Sequence, residues 1–217
     1  MKKYQSYIGG KWIDSLSKET IPVDDPATGK ILGEMACAKK EDVDLAIEAA
    51  SKAFKSRILV DMHPLERVKL MRKIAEELRK VSKEAGKLLC YENGKPLAGA
   101  EYEFVDAANY FDYYGGLTDK LEGKTIPVNK GVIDYTVLEP YGVSAHIIPW
   151  NYPISMLGRS LACSFATGNS TIVKTPEQTP LAAASFFAQA LEKAGIPDRK
   201  STRLNSSHKP ISYAVFC

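Results

Sequence analysis

The sequence has few of the residues that crosslink a chain or bind metal. Its 217 residues include four cysteines and three histidines, and none of them shows the spacing of a zinc or iron–sulfur site. The scattered cysteines indicate reduced thiols rather than a disulfide framework. We therefore expect no metal ligands and a cytoplasmic location.

Long hydrophobic runs are also missing. No stretch approaches the roughly 20 apolar residues needed to cross a bilayer. The N-terminal segment 1–5 carries positive charge but no apolar segment follows it, so we expect no secretory signal. The formal charge is +3, but residues 199–217 hold four Lys and Arg and no acid. Without them, 25 basic and 26 acidic residues remain. We therefore expect neither a membrane nor a nucleic-acid partner.

A strand, a turn and a helix follow one another within residues 139–180. Val143 to Ile148 is a short apolar run that suits a buried strand, and Pro149 ends it. Pro153 occupies the first position of a helix, where its missing N–H costs no hydrogen bond. Apolar residues then recur at helical spacing until Gly168-Asn169, which tolerate a left-handed backbone and end the helix.

A second strand and another helix complete this unit. Ser170 to Val173 is rich in branched residues, and Thr179-Pro180 opens the next helix. This order predicts an α/β fold, the first half of a Rossmann-like dinucleotide-binding sheet. Further strands are predicted at residues 7–12 and 34–36, a strand-rich hairpin at 126–138 with its turn at 129–131, and helices at 41–55, 64–81, 84–91 and 97–114.

Three motifs in this unit resemble those of the NAD(P)-dependent aldehyde dehydrogenase superfamily. They follow one another at the family's spacing: IIPWNYP at 147–153, ATGN at 166–169 and KTPEQTP at 174–180. Weaker matches are DPATG at 25–29 and NGKP at 93–96, and the resemblance extends from about Tyr7 to Pro197. It implies an N-terminal fragment with an NAD-binding domain at 1–121 and 141–197. Residues 122–140 would form a projecting oligomerisation hairpin, for which an ordinary edge hairpin is the alternative.

Aldehyde oxidation in the resembled family uses a cysteine nucleophile, oxyanion donors, hydride transfer to NAD and a glutamate base. Asn151 matches the family's oxyanion-hole asparagine, whose amide donates a hydrogen bond without carrying charge. The alternative is that Asn151 only caps the helix opened by Pro153. The resemblance thus implies oxidation of an aldehyde to a carboxylic acid by a homodimeric or homotetrameric parent enzyme.

Lys174 and Glu177 match the family's contacts to the adenosine ribose. A carboxylate there accepts both ribose hydroxyls and repels a 2′-phosphate, so Glu177 favours NAD over NADP. Solvated loop charges are the alternative for both residues. A plain core position is the alternative for Trp150. Backbone and packing contacts to the cofactor are implied for four residues, Ile147, Ile148, Pro149 and Trp150.

Cys163 is the one cysteine close to these motifs. It lies among apolar residues in the predicted helix, without an adjacent histidine or cation, and we expect it to be buried and inert. The resemblance implies that the family's nucleophile and base glutamate belong to a segment beyond Pro197. We therefore expect the 217-residue chain to be inactive. The rival hypothesis is a non-catalytic binding or interaction module.

The last residues depart from the family. From Asp198 the sequence reads DRKSTRLNSSHKPISYAVFC, and two of its segments, 198–208 and 211–217, resemble a translated DNA-sequencing adapter. We interpret residues 198–217 as a non-native tail, with Asp198 itself ambiguous. Because residues 199–208 offer only Leu204 for burial, we expect the tail to have no specific partner in the fold. Residues 211–217 are apolar enough to attach somewhere, but only opportunistically.

Overall fold

The computed structural model describes residues 2–196 and the backbone of residues 213–216. Short strands precede a largely helical middle, and a β-α-β unit follows. The helices are α1 (Lys40–Lys55), α2 (Ile58–Asp61), α3 (Pro64–Asn93), α4 (Leu97–Gly115), α5 (Pro153–Ala166) and α6 (Ala188–Lys193), with a π-helical turn, Ala183–Phe187, directly before α6. The strands are β1 (Lys3–Tyr4), β2 (Ser6–Ile8), β3 (Lys11–Ile13), β4 (Thr20–Asp24), β5 (Ile31–Ala36), β6 (Thr125–Ile126), β7 (Asp134–Tyr135), β8 (Val143–Ile147), β9 (Ser170–Lys174) and β10 (Tyr213–Phe216).

A parallel sheet in the order β10-β9-β8 carries the predicted α/β unit. In β9, Ile172 packs with Ala46 and Ala50 of α1, whereas Val173 belongs to the main core with Leu157 of α5. Adjacent strand residues point to opposite faces, so α1 covers one face of the sheet and α5 the other. The α/β fold predicted from the sequence is confirmed.

The main core forms where α5 crosses the helical hairpin α3–α4 (residues 64–115). Phe104 and Phe111 of α4 are fully buried there, together with Phe165 of α5. Gly158 lets the two helices touch, because a Cβ at this position would lie 2.5 Å from Cα of Ala107. The backbone of α5 is therefore held directly against α4.

The helices predicted at 64–81 and 84–91 are one continuous helix, α3. Leu78, Ala85 and Leu89 are fully buried, so the apolar face continues past the polar residues at 82–84. Residues 7–12, predicted as one strand, form the hairpin β2–β3, whose turn places Gly9 and Gly10 at φ of 57° and 75°. Within residues 2–196, no helix combines the length and the apolar character that a bilayer span requires.

The segment predicted as a hairpin has two short antiparallel strands, β6 and β7. Its predicted turn is confirmed, since the N–H of Val132 donates to the carbonyl of Asn129 at 3.1 Å. Gly131 adopts φ of 89° in that turn. Large apolar side chains are exposed along and after it: Ile126, Val128, Val132, Ile133, Tyr135, Val137, Leu138 and Tyr141.

The expectation that the tail has no specific partner is wrong for Tyr213–Phe216. These residues form β10 and pair in parallel with β9, from Tyr213 opposite Thr171 to Phe216 opposite Lys174. An unpaired strand edge offers backbone donors and acceptors to any extended apolar segment, whatever its origin. Residues 197–212, which include most of the predicted tail, lie outside the described residues.

Candidate active site

The predicted site residues leave the sheet at one edge. Strands β8 and β9 end side by side, with Ile147 opposite Lys174, and the N–H of Ile148 donates to the carbonyl of Lys174 at 3.0 Å. The loop that contains Asn151 and the loop that contains Glu177 therefore start at neighbouring points. We call this the carboxyl edge, which is where open α/β sheets bind their ligands.

Asn151 is exposed at the carboxyl edge. Its carboxamide has no hydrogen bond with any residue that the structure describes, whereas its backbone carbonyl accepts from Nζ of Lys95 at 2.7 Å. The residue that caps α5 is Tyr152, and no side chain of the capping residue bonds the helix. The alternative that Asn151 serves only as a helix cap is therefore wrong, and its amide is directed to no partner within residues 2–196.

The first turn of α5 is capped from a distant helix. Oε2 of Glu103, in α4, accepts from the backbone N–H groups of Ile154 at 3.0 Å and Ser155 at 3.3 Å. A carboxylate at a helix N-terminus satisfies otherwise unpaired donors and interacts favourably with the helix dipole. Lys95 forms an ion pair with the same Glu103. This pair was not predicted from the sequence, in which the NGKP match at 93–96 was its one local signal.

The two predicted ribose residues lie together beside this loop. Nζ of Lys174 lies 3.3 Å from Oε1 of Glu177, and their side chains are 40% and 58% exposed. Both charged groups are therefore accessible to a ligand at the carboxyl edge. The same exposure also fits the alternative of solvated loop charges.

A second buried glutamate holds the helix that follows the Lys174–Glu177 loop. Glu92, at the end of α3, accepts from the backbone N–H groups of Leu181 at 2.7 Å and Ala182 at 2.9 Å. Burial raises the pKa of Glu92 to about 8, with the charge of Glu103 acting in the same direction and the two amides opposing it. The helical hairpin α3–α4 thus places one buried glutamate behind each loop of the carboxyl edge.

The four residues implied in cofactor packing are not equivalent. Ile147 is 81% exposed and Trp150 is 58% exposed, and Pro149 is exposed between them, but the side chain of Ile148 is only 5% exposed and lies in the core. The core alternative for Trp150 is therefore wrong. Ile148 faces inwards and offers a ligand only its backbone.

Cys163 is exposed, so the expectation that it is buried is wrong. Its sequence neighbours Ala162 and Ser164 are buried, because successive helical residues are about 100° apart around the axis and face different surroundings. On the buried side of α5, Ser164 contacts His146 of β8 at 3.0 Å. Burial lowers the pKa of that histidine. Over the part of the chain that the structure describes, no group of three or more His, Cys, Asp or Glu residues could hold a metal ion.

Comparison with known proteins gives one consistent result. The family model described as the aldehyde dehydrogenase family matches residues 12–212. A mitochondrial benzaldehyde dehydrogenase of Antirrhinum majus is 36% identical over 97% of this chain and 39% of its own length. A hydroxyisobutyraldehyde dehydrogenase of Mycolicibacterium austroafricanum is 36% identical over 88% of this chain and 37% of its own.

Solved structures share the fold. The NAD⁺ complex of an aldehyde dehydrogenase from Bacillus cereus superposes with a TM-score of 0.88 at 30% identity, covering 100% of this chain and 42% of that one. The Pseudomonas protein PnpE, from strain WBC-3, superposes with a TM-score of 0.86 at 30% identity, covering 99% of this chain and 41% of its own. The chain therefore spans about two fifths of the length of the proteins it matches.

Proposed function

Because this chain belongs to the aldehyde dehydrogenase family, we propose that it is the N-terminal part of an enzyme that oxidises an aldehyde to a carboxylic acid with NAD. One arrangement carries the proposal. The exposed carboxamide of Asn151 has no partner of its own among the described residues, and its loop leaves the same sheet edge as the accessible Lys174–Glu177 pair. An oxyanion donor and a cofactor site are needed side by side for this chemistry.

The role of Asn151 follows from where negative charge develops. When a thiolate adds to an aldehyde, the carbonyl oxygen becomes an oxyanion, and a fixed amide N–H that lies near it stabilises that charge without a proton transfer. In our proposal the nucleophilic cysteine and the glutamate base belong to the longer protein, outside these 217 residues. A thiohemiacetal on that cysteine would be oxidised to a thioester, which water then hydrolyses.

The residues at the carboxyl edge fit a dinucleotide. Glu177 offers a carboxylate for ribose hydroxyls, Lys174 offers a cation beside it, and the exposed side chains of Ile147 and Trp150 offer apolar surface for a planar ring. When bound, NAD supplies the acceptor for the hydride that leaves the substrate. The negative charge of Glu177 favours NAD over NADP, because it repels a 2′-phosphate.

The test is the substitution Asn151→Ala in the full-length protein that contains this chain. The pre-steady-state burst of NADH should slow by about 10²–10³-fold, the usual loss for one oxyanion donor. NAD affinity should hardly change, because the amide faces the substrate. Asn109→Ala, which removes an exposed asparagine on α4 that bonds Arg79, is the matched control and should keep the wild-type burst.

Two results would contradict the proposal. An unchanged burst in Asn151→Ala would remove the residue from the oxyanion site. A full-length protein that binds NAD without oxidising any aldehyde would favour the rival, a non-catalytic binding module. The 217-residue chain alone should show no NAD-linked aldehyde oxidation, and turnover that Cys163→Ser abolishes would show that the exposed Cys163 is a nucleophile after all.

We further propose that the hairpin at 122–140 mediates assembly of the full-length protein into a homodimer or homotetramer. Its exposed apolar side chains form the kind of surface that is normally covered by a partner. Ile133→Asp together with Tyr135→Asp should lower the molar mass measured by light scattering to that of a monomer. An unchanged mass would favour an ordinary edge hairpin.

We place the full-length protein in the cytoplasm, since Cys37, Cys90 and Cys163 are unpaired and thiols persist in reduced form there. The Antirrhinum relative is named as mitochondrial, so localisation needs its own measurement. Microscopy of the tagged full-length protein, expressed in its own source cells, checks this. Import into an organelle would contradict it.

A further inference from the structure

The loop that carries Asn151 is held by two side chains, one from the last residue of α3 and one from the turn between α3 and α4. Nδ2 of Asn93 donates to the carbonyl of Trp150 at 2.8 Å, and Nζ of Lys95 donates to the carbonyl of Asn151 at 2.7 Å. These are consecutive carbonyls in the loop between β8 and α5. Two adjacent peptide groups of this loop are thus bonded to the same short segment.

The cation of Lys95 is itself fixed. It pairs with Glu103, whose side chain is 2% exposed while that of Lys95 is 14% exposed, and it lies 4.6 Å above the ring centre of Tyr152. The same Glu103 carboxylate accepts from the N–H groups of Ile154 and Ser155. The Lys95–Glu103 pair therefore contacts the backbone or ring of most residues from 151 to 155.

The position of the Asn151 carboxamide depends on these contacts with the loop backbone. No described residue bonds the carboxamide, so its place is set by the backbone that carries it. Loop backbones at a sheet edge are mobile unless they are tied down, and an oxyanion donor is effective only when it lies within about 3 Å of the developing charge. A displacement of about 1 Å is enough to cost on the order of 10²-fold in rate.

From this geometry we infer that Asn93, Lys95 and Glu103 are positioning residues that set where the Asn151 amide meets the substrate oxygen. The inference rests on the proposed function of Asn151. None of the three touches the substrate, and each acts through the loop backbone or the first turn of α5. They form the Asn151 clamp.

The clamp is tested in the full-length protein with variants that leave no buried charge unpaired. Lys95→Met alone would leave the buried Glu103 carboxylate without its cation, and an unpaired buried charge destabilises the fold whatever the role of Lys95. The main variant is therefore Lys95→Met with Glu103→Gln, whose amide oxygen still accepts from α5. Asn93→Ala is an independent, uncharged variant that keeps the test valid if the double variant fails to fold. Lys87→Met, at an exposed position of α3, is the matched control.

We expect the NADH burst to slow by about 10- to 100-fold in the double variant. The dissociation constant of NAD should stay within about two-fold, and peptides that cover residues 148–158 should exchange their amide hydrogens faster. Lys87→Met should leave all three quantities unchanged. The decisive measurement repeats the double variant and Asn93→Ala in the Asn151→Ala background. There, either change should slow the burst by less than about two-fold, because the amide that the clamp positions has been removed.

The outcomes separate the clamp from the proposed function. If the wild-type protein oxidises no aldehyde, the proposed function fails and the clamp fails with it. If the wild type is active and both clamp variants keep its burst rate, the clamp alone is overturned. If a clamp variant slows the burst equally with and without Asn151, its effect is purely structural, and the inference is overturned as well.

Discussion

Oε2 of Glu92, at the end of α3, lies 2.7 Å from the backbone nitrogen of Leu181. The two residues are 89 positions apart in the sequence, and the glutamate is buried. An ionised carboxylate at that depth is costly unless hydrogen bonds compensate it. Two backbone N–H groups do so in part, yet burial still holds the pKa of Glu92 at about 8.

The contribution of Glu92 to the stability of the chain should therefore decrease with pH between about 4.5 and about 8. The pKa of Glu92 is raised from 4.5 to about 8 on folding, so the folded state binds the proton more tightly. That stabilisation is complete below 4.5 and is lost as the pH rises through 8. Urea unfolding of the 217-residue chain at several pH values measures it.

Glu92→Gln should flatten this dependence, because the amide does not titrate. Glu84→Gln, at an exposed position of the same helix, should keep the wild-type slope. If wild type and Glu92→Gln show the same slope of stability against pH over this range, Glu92 does not bind its proton more tightly in the folded state.

Gly158→Ala should destabilise the chain by about 1–3 kcal/mol, the usual cost of overpacking a core. The added Cβ would lie 2.5 Å from Cα of Ala107, which is backbone and has no rotamer to give way. Gly99→Ala is the matched control, since nothing lies within 4 Å of a Cβ there. It should stabilise α4 by up to about 1 kcal/mol. The denaturant midpoints of both variants are compared with that of the wild type. Equal midpoints for Gly158→Ala and wild type would refute the close contact between α5 and α4.

Under the proposed function, the full-length protein prefers NAD to NADP, and Glu177→Gln should narrow that preference. The substitution removes the charge that repels a 2′-phosphate and keeps an acceptor for the ribose. Glu48→Gln, at an exposed position of α1, controls for a general loss of negative charge. If the ratio of kcat/KM with the two cofactors is the same in Glu177→Gln and wild type, Glu177 is not the ribose residue.

The codons after Pro197 should differ between the native gene and this sequence. Although Tyr213–Phe216 pair with β9 and the family match reaches residue 212, we expect a glycine and branched residues in the native gene where Arg199 and its successors stand here. Amplifying the locus from source DNA and sequencing across the Pro197 codon tests this. A read-through into Arg-Lys-Ser-Thr-Arg would disprove the foreign origin of the tail.

The elements at the carboxyl edge were predictable because their signals are local. Pro153 begins α5, and Gly168, with φ of 81°, follows its end, so a few adjacent residues are sufficient to mark the boundaries. The exposure of Cys163 was not predictable from its apolar neighbours, since it depends on which side of α5 meets the core.

The contacts of the two capping glutamates, Glu92 and Glu103, could not be predicted from sequence patterns either. Glu103 bonds Ile154 across 51 positions of sequence, and Glu92 bonds Leu181 across 89. No periodicity or turn signal relates residues that far apart, and a buried glutamate in a helix looks in the sequence like any exposed one. The fold at the edge was therefore predictable, whereas the residues that hold the site were not.

The helical hairpin α3–α4 carries both glutamates on one stiff body, so the spacing between the two loops is a property of the hairpin rather than of either loop. Gly86 fixes how its two helices cross, since a Cβ there would lie 2.7 Å from Cα of Glu101. A substitution that shifts this crossing moves both helix starts together. Such a substitution should therefore displace the Asn151 loop and the Lys174–Glu177 loop together, and a designer who transplants the carboxyl edge must move residues 64–115 with it.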